Sequence, residues 1–129
     1  MKSPQTITDA ELAVLKFLWD RESATAKGIT ERLYPECTAS DVGTVHSMLK
    51  RLESKRFIHR DRETHPQHFS AAVDRTQLAG RQLDEIANKV SDGSYMPFLT
   101  HLVEGDRLSE EDLAELRKIL RRRQKSRGQ

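Results

Sequence analysis

The run Asp41-Val42-Gly43-Thr44-Val45-His46-Ser47-Met48-Leu49-Lys50-Arg51-Leu52-Glu53-Ser54-Lys55 decides the fold, together with Phe57-Ile58-His59-Arg60 and His68-Phe69-Ser70-Ala71 beyond it. Val42, Val45, Leu49 and Leu52 recur at spacings of 3, 4 and 3, which is one face of a helix. A helix is therefore expected from Ser40 or Asp41 to about Lys55, although Gly43 lowers its propensity by about 1 kcal/mol. Past Lys55 the repeat stops. Phe57–Arg60 and His68–Ala71 are expected as two short antiparallel strands around a polar loop, Asp61 to Gln67, that contains Pro66.

Upstream, Thr8-Asp9-Ala10-Glu11 has the form of a capping box with Ile7 and Leu12 as its hydrophobic staple. It opens a helix from about Asp9 to Asp20 whose stripe is Leu12, Leu15, Phe17, Leu18 and Trp19. A second helix is expected from about Ala26 to Tyr34, capped by Thr25, burying Ile29 and Leu33 and ended by Pro35. Three helices, a hairpin and a further helix make the order of a winged helix-turn-helix. The expected fold is mainly α, with a winged helix-turn-helix domain over residues 1–73 and a helical dimerisation region over 74–129.

That second region opens on another box, Asp74-Arg75-Thr76-Gln77, and its last helix on a third, Ser109-Glu110-Glu111-Asp112. Leu78, Leu83, Ile86 and Val90 are expected on one helix face. Phe98, Leu99, Leu102 and Val103 form an apolar patch beyond Ser91-Asp92-Gly93, and Leu113, Leu116 and Leu120 stripe the last helix. No sheet or large core is available to cover them, and burying each leucine is worth roughly 1.5–3 kcal/mol. A second copy of the same segment is the expected cover, giving a two-fold homodimer.

Composition agrees with a protein short of core. Hydrophobic residues are 36% and charged residues 33%. Adding the six glycines gives roughly 41%, below the about 45–50% usual for globular domains. Lys and Arg number 22 against 20 Asp and Glu, which excludes a polycationic, histone-like protein but not a local basic surface. The single cysteine, Cys37, excludes an internal disulfide framework or a Cys-rich zinc site. The chain lacks an apolar run near the roughly 18 residues of a membrane span. Met1-Lys2-Ser3-Pro4-Gln5 is not a signal-peptide core. A cytoplasmic protein without membrane insertion is expected.

The helix at 41–55 carries the informative chemistry. Opposite its apolar face lie Thr44, His46, Ser47, Lys50, Arg51 and Ser54. Small hydroxyls approach base edges closely, and Lys50 and Arg51 have the reach for phosphates or guanine, as suits a recognition helix in a major groove. Between Lys50 and Arg62 six basic residues stand against two acidic ones. Arg60 and Arg62 are expected on the hairpin, flanking the groove and touching backbone, with His65 at the loop tip.

These residues resemble the penicillinase-repressor (BlaI/MecI/CopY) family of winged-helix transcriptional repressors. The carriers are Ala10-Glu11-Leu12-Ala13-Val14-Leu15-Lys16-Phe17-Leu18-Trp19, the run from Gly43 to Lys55, Asp92-Gly93-Ser94, and Leu108 to Leu116. The resemblance spans about Thr8 to Leu120. It implies a homodimer that binds a palindromic double-stranded DNA operator and represses transcription of β-lactam-resistance or metal-homeostasis genes. It carries recognition contacts onto Thr44, His46, Ser47, Lys50 and Arg51. Where other members often have a basic residue, this chain has Gly43. In several members a membrane sensor protease releases the repressor by cutting between asparagine and phenylalanine; the matching pair here is His101–Leu102. The C-x-C pair of the copper-responsive branch is missing.

Two other readings stand beside this one. One is a winged-helix protein-interaction module without specific DNA binding; the other is a thiol- or metal-responsive regulator using Cys37. His59, His65 and His68 have spacings that fit no common zinc site, so no metal and no cofactor are expected. No general acid–base or nucleophile motif and no phosphate-cradling glycine loop occur, so no enzymatic activity is expected. The basic tail Arg121-Arg122-Arg123-Gln124-Lys125-Ser126-Arg127 complements the dipole of the last helix.

Overall fold

The computed structural model describes residues 6–127; the expectation placed on Met1–Gln5 lies outside them. The described chain runs α1 (Asp9–Trp19), β1 (Ala24–Thr25), α2 (Ala26–Leu33), α3 (Ala39–Ser54), β2 (Ile58–Asp61), β3 (His68–Ala71), α4 (Arg75–Val90), α5 (Met96–Glu104) and α6 (Glu110–Arg127). It separates into two compact units, one through Ile86 and one from Ala87 onward.

The first unit has the winged-helix order. Its sheet is antiparallel in the order β1-β3-β2, with Ile58 opposite Ala71 and Asp61 opposite His68. The two-residue β1, which pairs Ala24 with Phe69, is too short to leave a periodic signal in sequence. The core comprises Val14, Leu15 and Leu18 of α1, Ile29 of α2, Val45, Met48, Leu49 and Leu52 of α3, and Phe57, Ile58, Phe69, Val73 and Leu78.

Three expectations are corrected here. α3 begins at Ala39, because Thr38 and Asp41 form a reciprocal capping box, each accepting from the other's backbone N–H. Asp41 is thus the third residue of the helix rather than its cap. Val42, in that first turn, is exposed, and Met48 takes its place on the buried face, completing the i, i+3, i+4, i+7 set with Val45, Leu49 and Leu52. Leu78 does not share a face with Leu83, Ile86 and Val90. It is buried in the first core, since five residues turn a helix by about 140° from Leu78 to Leu83. The first compact unit therefore extends past residue 73 into α4. The side chain of Arg81 holds this junction, donating to the Arg56 carbonyl at 3.3 Å and lying over the Phe57 ring. The boxes at Thr8, Asp74 and Ser109 form as expected.

The corner between α3 and β2 is a Schellman turn. The N–H of Arg56 donates to the Glu53 carbonyl (3.0 Å) and that of Phe57 to the Leu52 carbonyl (2.9 Å), with Leu52 and Phe57 both buried. Arg56 supplies the left-handed residue, at φ 64°, a place glycine fills without Cβ strain. Arg56→Gly is expected to raise unfolding free energy by up to about 1 kcal/mol, while Phe57→Ala lowers it by about 3–5 kcal/mol. Urea unfolding of both variants checks this; a destabilised Arg56→Gly would contradict the turn.

Candidate nucleic-acid interface

α3 exposes a continuous outer face opposite its core residues. Gly43, Thr44, His46, Ser47 and Lys50 all lie in solvent. The Thr44 hydroxyl donates to the Ser40 carbonyl at 3.0 Å, which fixes its rotamer and leaves its oxygen lone pairs outward. Around Gly43 a Cβ would meet nothing within 4 Å. The fold itself therefore does not require glycine at this position.

Arg51 is half committed. Its Nε donates to Glu11 Oε2 at 3.1 Å, while 52% of its side chain stays exposed. Glu11 itself is fully buried. It accepts from the Thr8 backbone N–H (3.0 Å) and from Lys55 Nζ (3.0 Å), and Lys55 also donates to the Thr6 carbonyl. Burial pushes the Glu11 carboxyl up. The Thr8 N–H, Lys55 and Arg51 outweigh it and hold the group below the ordinary glutamate range. Its helix-capping carboxylate thus joins α1 to α3 and engages Arg51 through Nε alone.

The two hairpin arginines both meet Glu53 of α3, but to different depths. Arg60 turns inward, only 19% exposed, pairing with Glu53 Oε1 at 3.2 Å and lying over the Phe69 ring. It also donates to Gln67 Oε1 at 3.3 Å. Arg62 pairs with Glu53 Oε2 at 3.1 Å but is 64% exposed. Glu53 therefore ties α3 to the hairpin through two guanidinium groups, and its charge offsets theirs. His65 and His59 are exposed, whereas His68 is half-buried with Nδ1 3.1 Å from the Thr64 hydroxyl. Among the described residues no group of three His, Cys, Asp or Glu side chains is arranged to hold a metal ion. Sequence inspection missed the roles of Glu11 and Glu53; the carboxylate of the Thr8 capping box was the visible signal for the first.

The second unit has a different character. α5 and α6 bury no residue completely. Val90, Leu99, Leu102 and Leu120 are exposed, and Phe98, Leu113 and Leu116 are half-buried. Leu83 and Ile86, at the end of the first unit, are exposed as well. An apolar groove of about 350 Å³ runs between α5 and α6, floored by Leu99, Leu102, Leu116 and Ile119. His101 and Leu102 lie inside α5. No helix among the described residues is long and apolar enough to cross a membrane.

The penicillinase repressor family matches residues 7–122, nearly the whole chain. The chain belongs to the penicillinase repressor family. Family members are transcriptional repressors, not enzymes. The methicillin resistance regulatory protein MecI, from Mammaliicoccus sciuri and from Staphylococcus aureus (strain N315), is 26% identical over 117 residues, covering 91% of this chain and 94% of that protein. The penicillinase repressor of Bacillus licheniformis is 28% identical over 120 residues, 93% of each chain. The family match includes both α3 and the exposed leucines of α5 and α6.

Glu11→Gln keeps an acceptor for the Thr8 N–H but removes the charge facing Lys55, and is expected to cost about 2–3 kcal/mol at neutral pH. Because the folded carboxyl titrates below its unfolded value, this stabilisation is present above the ordinary glutamate range and is lost as pH falls through the folded value. Unfolding curves of wild type and Glu11→Gln should converge on acidification. A gap independent of pH would contradict the ion-pair role.

Proposed function

We propose that this protein is a homodimeric transcriptional repressor that reads a palindromic operator with α3 and represses β-lactam-resistance or related genes. Supporting this are the family membership and the names of its relatives, a methicillin resistance regulator and a penicillinase repressor. The single observation that carries the mechanism is the outer face of α3. Thr44, His46, Ser47 and Lys50 are exposed there beside the half-exposed Arg51. Thr44, His46 and Ser47 face base edges, Lys50 and Arg51 face phosphate or guanine, and Arg62 and His65 face backbone from the hairpin. Arg60 acts through the Glu53 pair, holding the hairpin rather than touching phosphate.

The exposed apolar residues of α4, α5 and α6 are covered by the same residues of a second copy. The domain division proposed is a DNA-binding part through residue 73 and a dimerising part beyond it, with α4 rooted in the first core. Two recognition helices about one DNA turn apart, roughly 34 Å, then engage two half-sites. Each half-site alone binds weakly, since linkage supplies much of the affinity. Repression is steric occlusion by the bound dimer in the cytoplasm. Release acts on the dimer, and cleavage at His101–Leu102 by a membrane sensor protease requires α5 to unwind, because proteases take extended substrates.

Gly43 gives a prediction with opposite signs. Gly43→Ala should stabilise the free protein by about 1 kcal/mol and weaken operator binding, because a methyl group enters the contact face. Denaturation and gel shift, run on the same preparation, check both. Lys50→Ala and Arg51→Ala should each weaken binding by roughly tenfold and lower the salt slope by about one. A folded dimer that gives no specific complex with its own upstream region would sink the DNA reading and favour the protein-interaction module. A chain ending before Leu102 that still dimerised with full operator affinity would sink the dimer account.

A further inference from the structure

We propose that the C-terminal half of α6 is a second, sequence-independent binding surface for the phosphate backbone of duplex DNA. This rests on the DNA-binding reading above and adds a contact to it. Between Arg117 and Arg127 the helix carries seven Lys and Arg and no Asp or Glu. The unit through Ile86, which contains α3, carries thirteen residues of each sign and is formally neutral. Residues 87–116 hold two basic against seven acidic. The positive excess of the whole protein, +2, therefore comes from the last three turns of α6.

Four of the cations near α3 are also engaged. Arg51 and Lys55 face Glu11, and Arg60 and Arg62 face Glu53. Non-specific affinity for DNA is set by cations that neutralise phosphates, and these four are partly neutralised by the carboxylates they face.

Lys118, Arg121, Arg122 and Lys125 share one helix face by their spacing and, with Glu115 and Gln124, line one open surface. At about 100° per residue this face lies opposite the stripe of Leu113, Leu116 and Leu120. A second copy covering the leucines leaves these cations in solvent. Arg122 reaches Glu115 only at 3.8 Å, with both side chains largely exposed, so that pair is weak. The helix dipole accounts for cations in the last turn alone, whereas this run spans three. Four cations along roughly 10 Å of helix match a duplex that carries one charge per about 1.7 Å. A lipid surface suits the helix less well. α6 has no aromatic residue, and its first turns hold Glu110, Glu111, Asp112 and Glu115, which an anionic bilayer lying along it repels.

The test is equilibrium binding of the full chain to a random-sequence duplex and to its operator across a salt series. It compares wild type, the fourfold variant Lys118→Gln/Arg121→Gln/Arg122→Gln/Lys125→Gln, and the charge-keeping variant Arg121→Lys/Arg122→Lys. The fourfold variant should lose at least tenfold in random-duplex affinity at low salt, with a salt slope shallower by roughly two to four units. Its dimer, measured by sedimentation, should be unchanged, and the charge-keeping variant should match wild type. If the fourfold variant unfolds, Arg121→Gln/Arg122→Gln should give about half the change in slope. An unchanged slope overturns the proposal. So does dissociation of the dimer, which would assign the ridge to the partner copy, or tighter binding to phosphatidylserine vesicles than to duplex at equal ionic strength. Wild type failing to prefer operator over random duplex overturns the repressor reading instead, and the slope of the variants still decides the ridge.

Discussion

The buried carboxylate of Glu11 is the interaction on which the orientation of α3 depends. An ionised carboxylate removed from water is costly unless its oxygens are satisfied. Here the Thr8 N–H, Lys55 Nζ and Arg51 Nε satisfy them. One side chain thereby caps α1, anchors the C-terminal turn of α3 and fixes one edge of Arg51. The hydrophobic core sets the distance between the two helices, but apolar packing is not directional. The three donors add the direction.

Glu53 does similar work between α3 and the hairpin. It draws Arg60 and Arg62 from the hairpin to α3, beside the Schellman turn that starts β2. The local positive charge between Lys50 and Arg62 thus splits into two groups. Lys55 and Arg60 are structural cations, mostly buried against carboxylates. Lys50 and much of Arg51 and Arg62 stay exposed to solvent. Counting charges along the chain overstates the positive field of such a surface, because opposite charges distant in sequence meet in space.

The second unit shows the reverse imbalance. It keeps apolar side chains in solvent and concentrates its basic residues on the last turns of α6. A single copy leaves the leucines of α5 and α6 without cover, at a cost that the lean composition of the chain does not offset.

Much of the fold was legible from local signals. Capping boxes at Thr8, Asp74 and Ser109 mark helix starts because a side chain and a backbone N–H three residues away must meet in any context. The helical repeat of α3 and the change to short strands after Lys55 gave the winged-helix order. The two-residue β1 and the exposure of Val42 were not legible, since both depend on what packs alongside rather than on spacing. The outer face of α3 followed from periodicity alone, as did the apolar stripes of α5 and α6. Only the tertiary structure decided which arginines point outward. Arg51 and Arg60 meet Glu11 and Glu53 across elements, and an ion pair between residues 40 positions apart leaves no pattern in sequence. Local backbone chemistry is written along the chain, while the pairing of buried charge is settled only when the chain has folded around it.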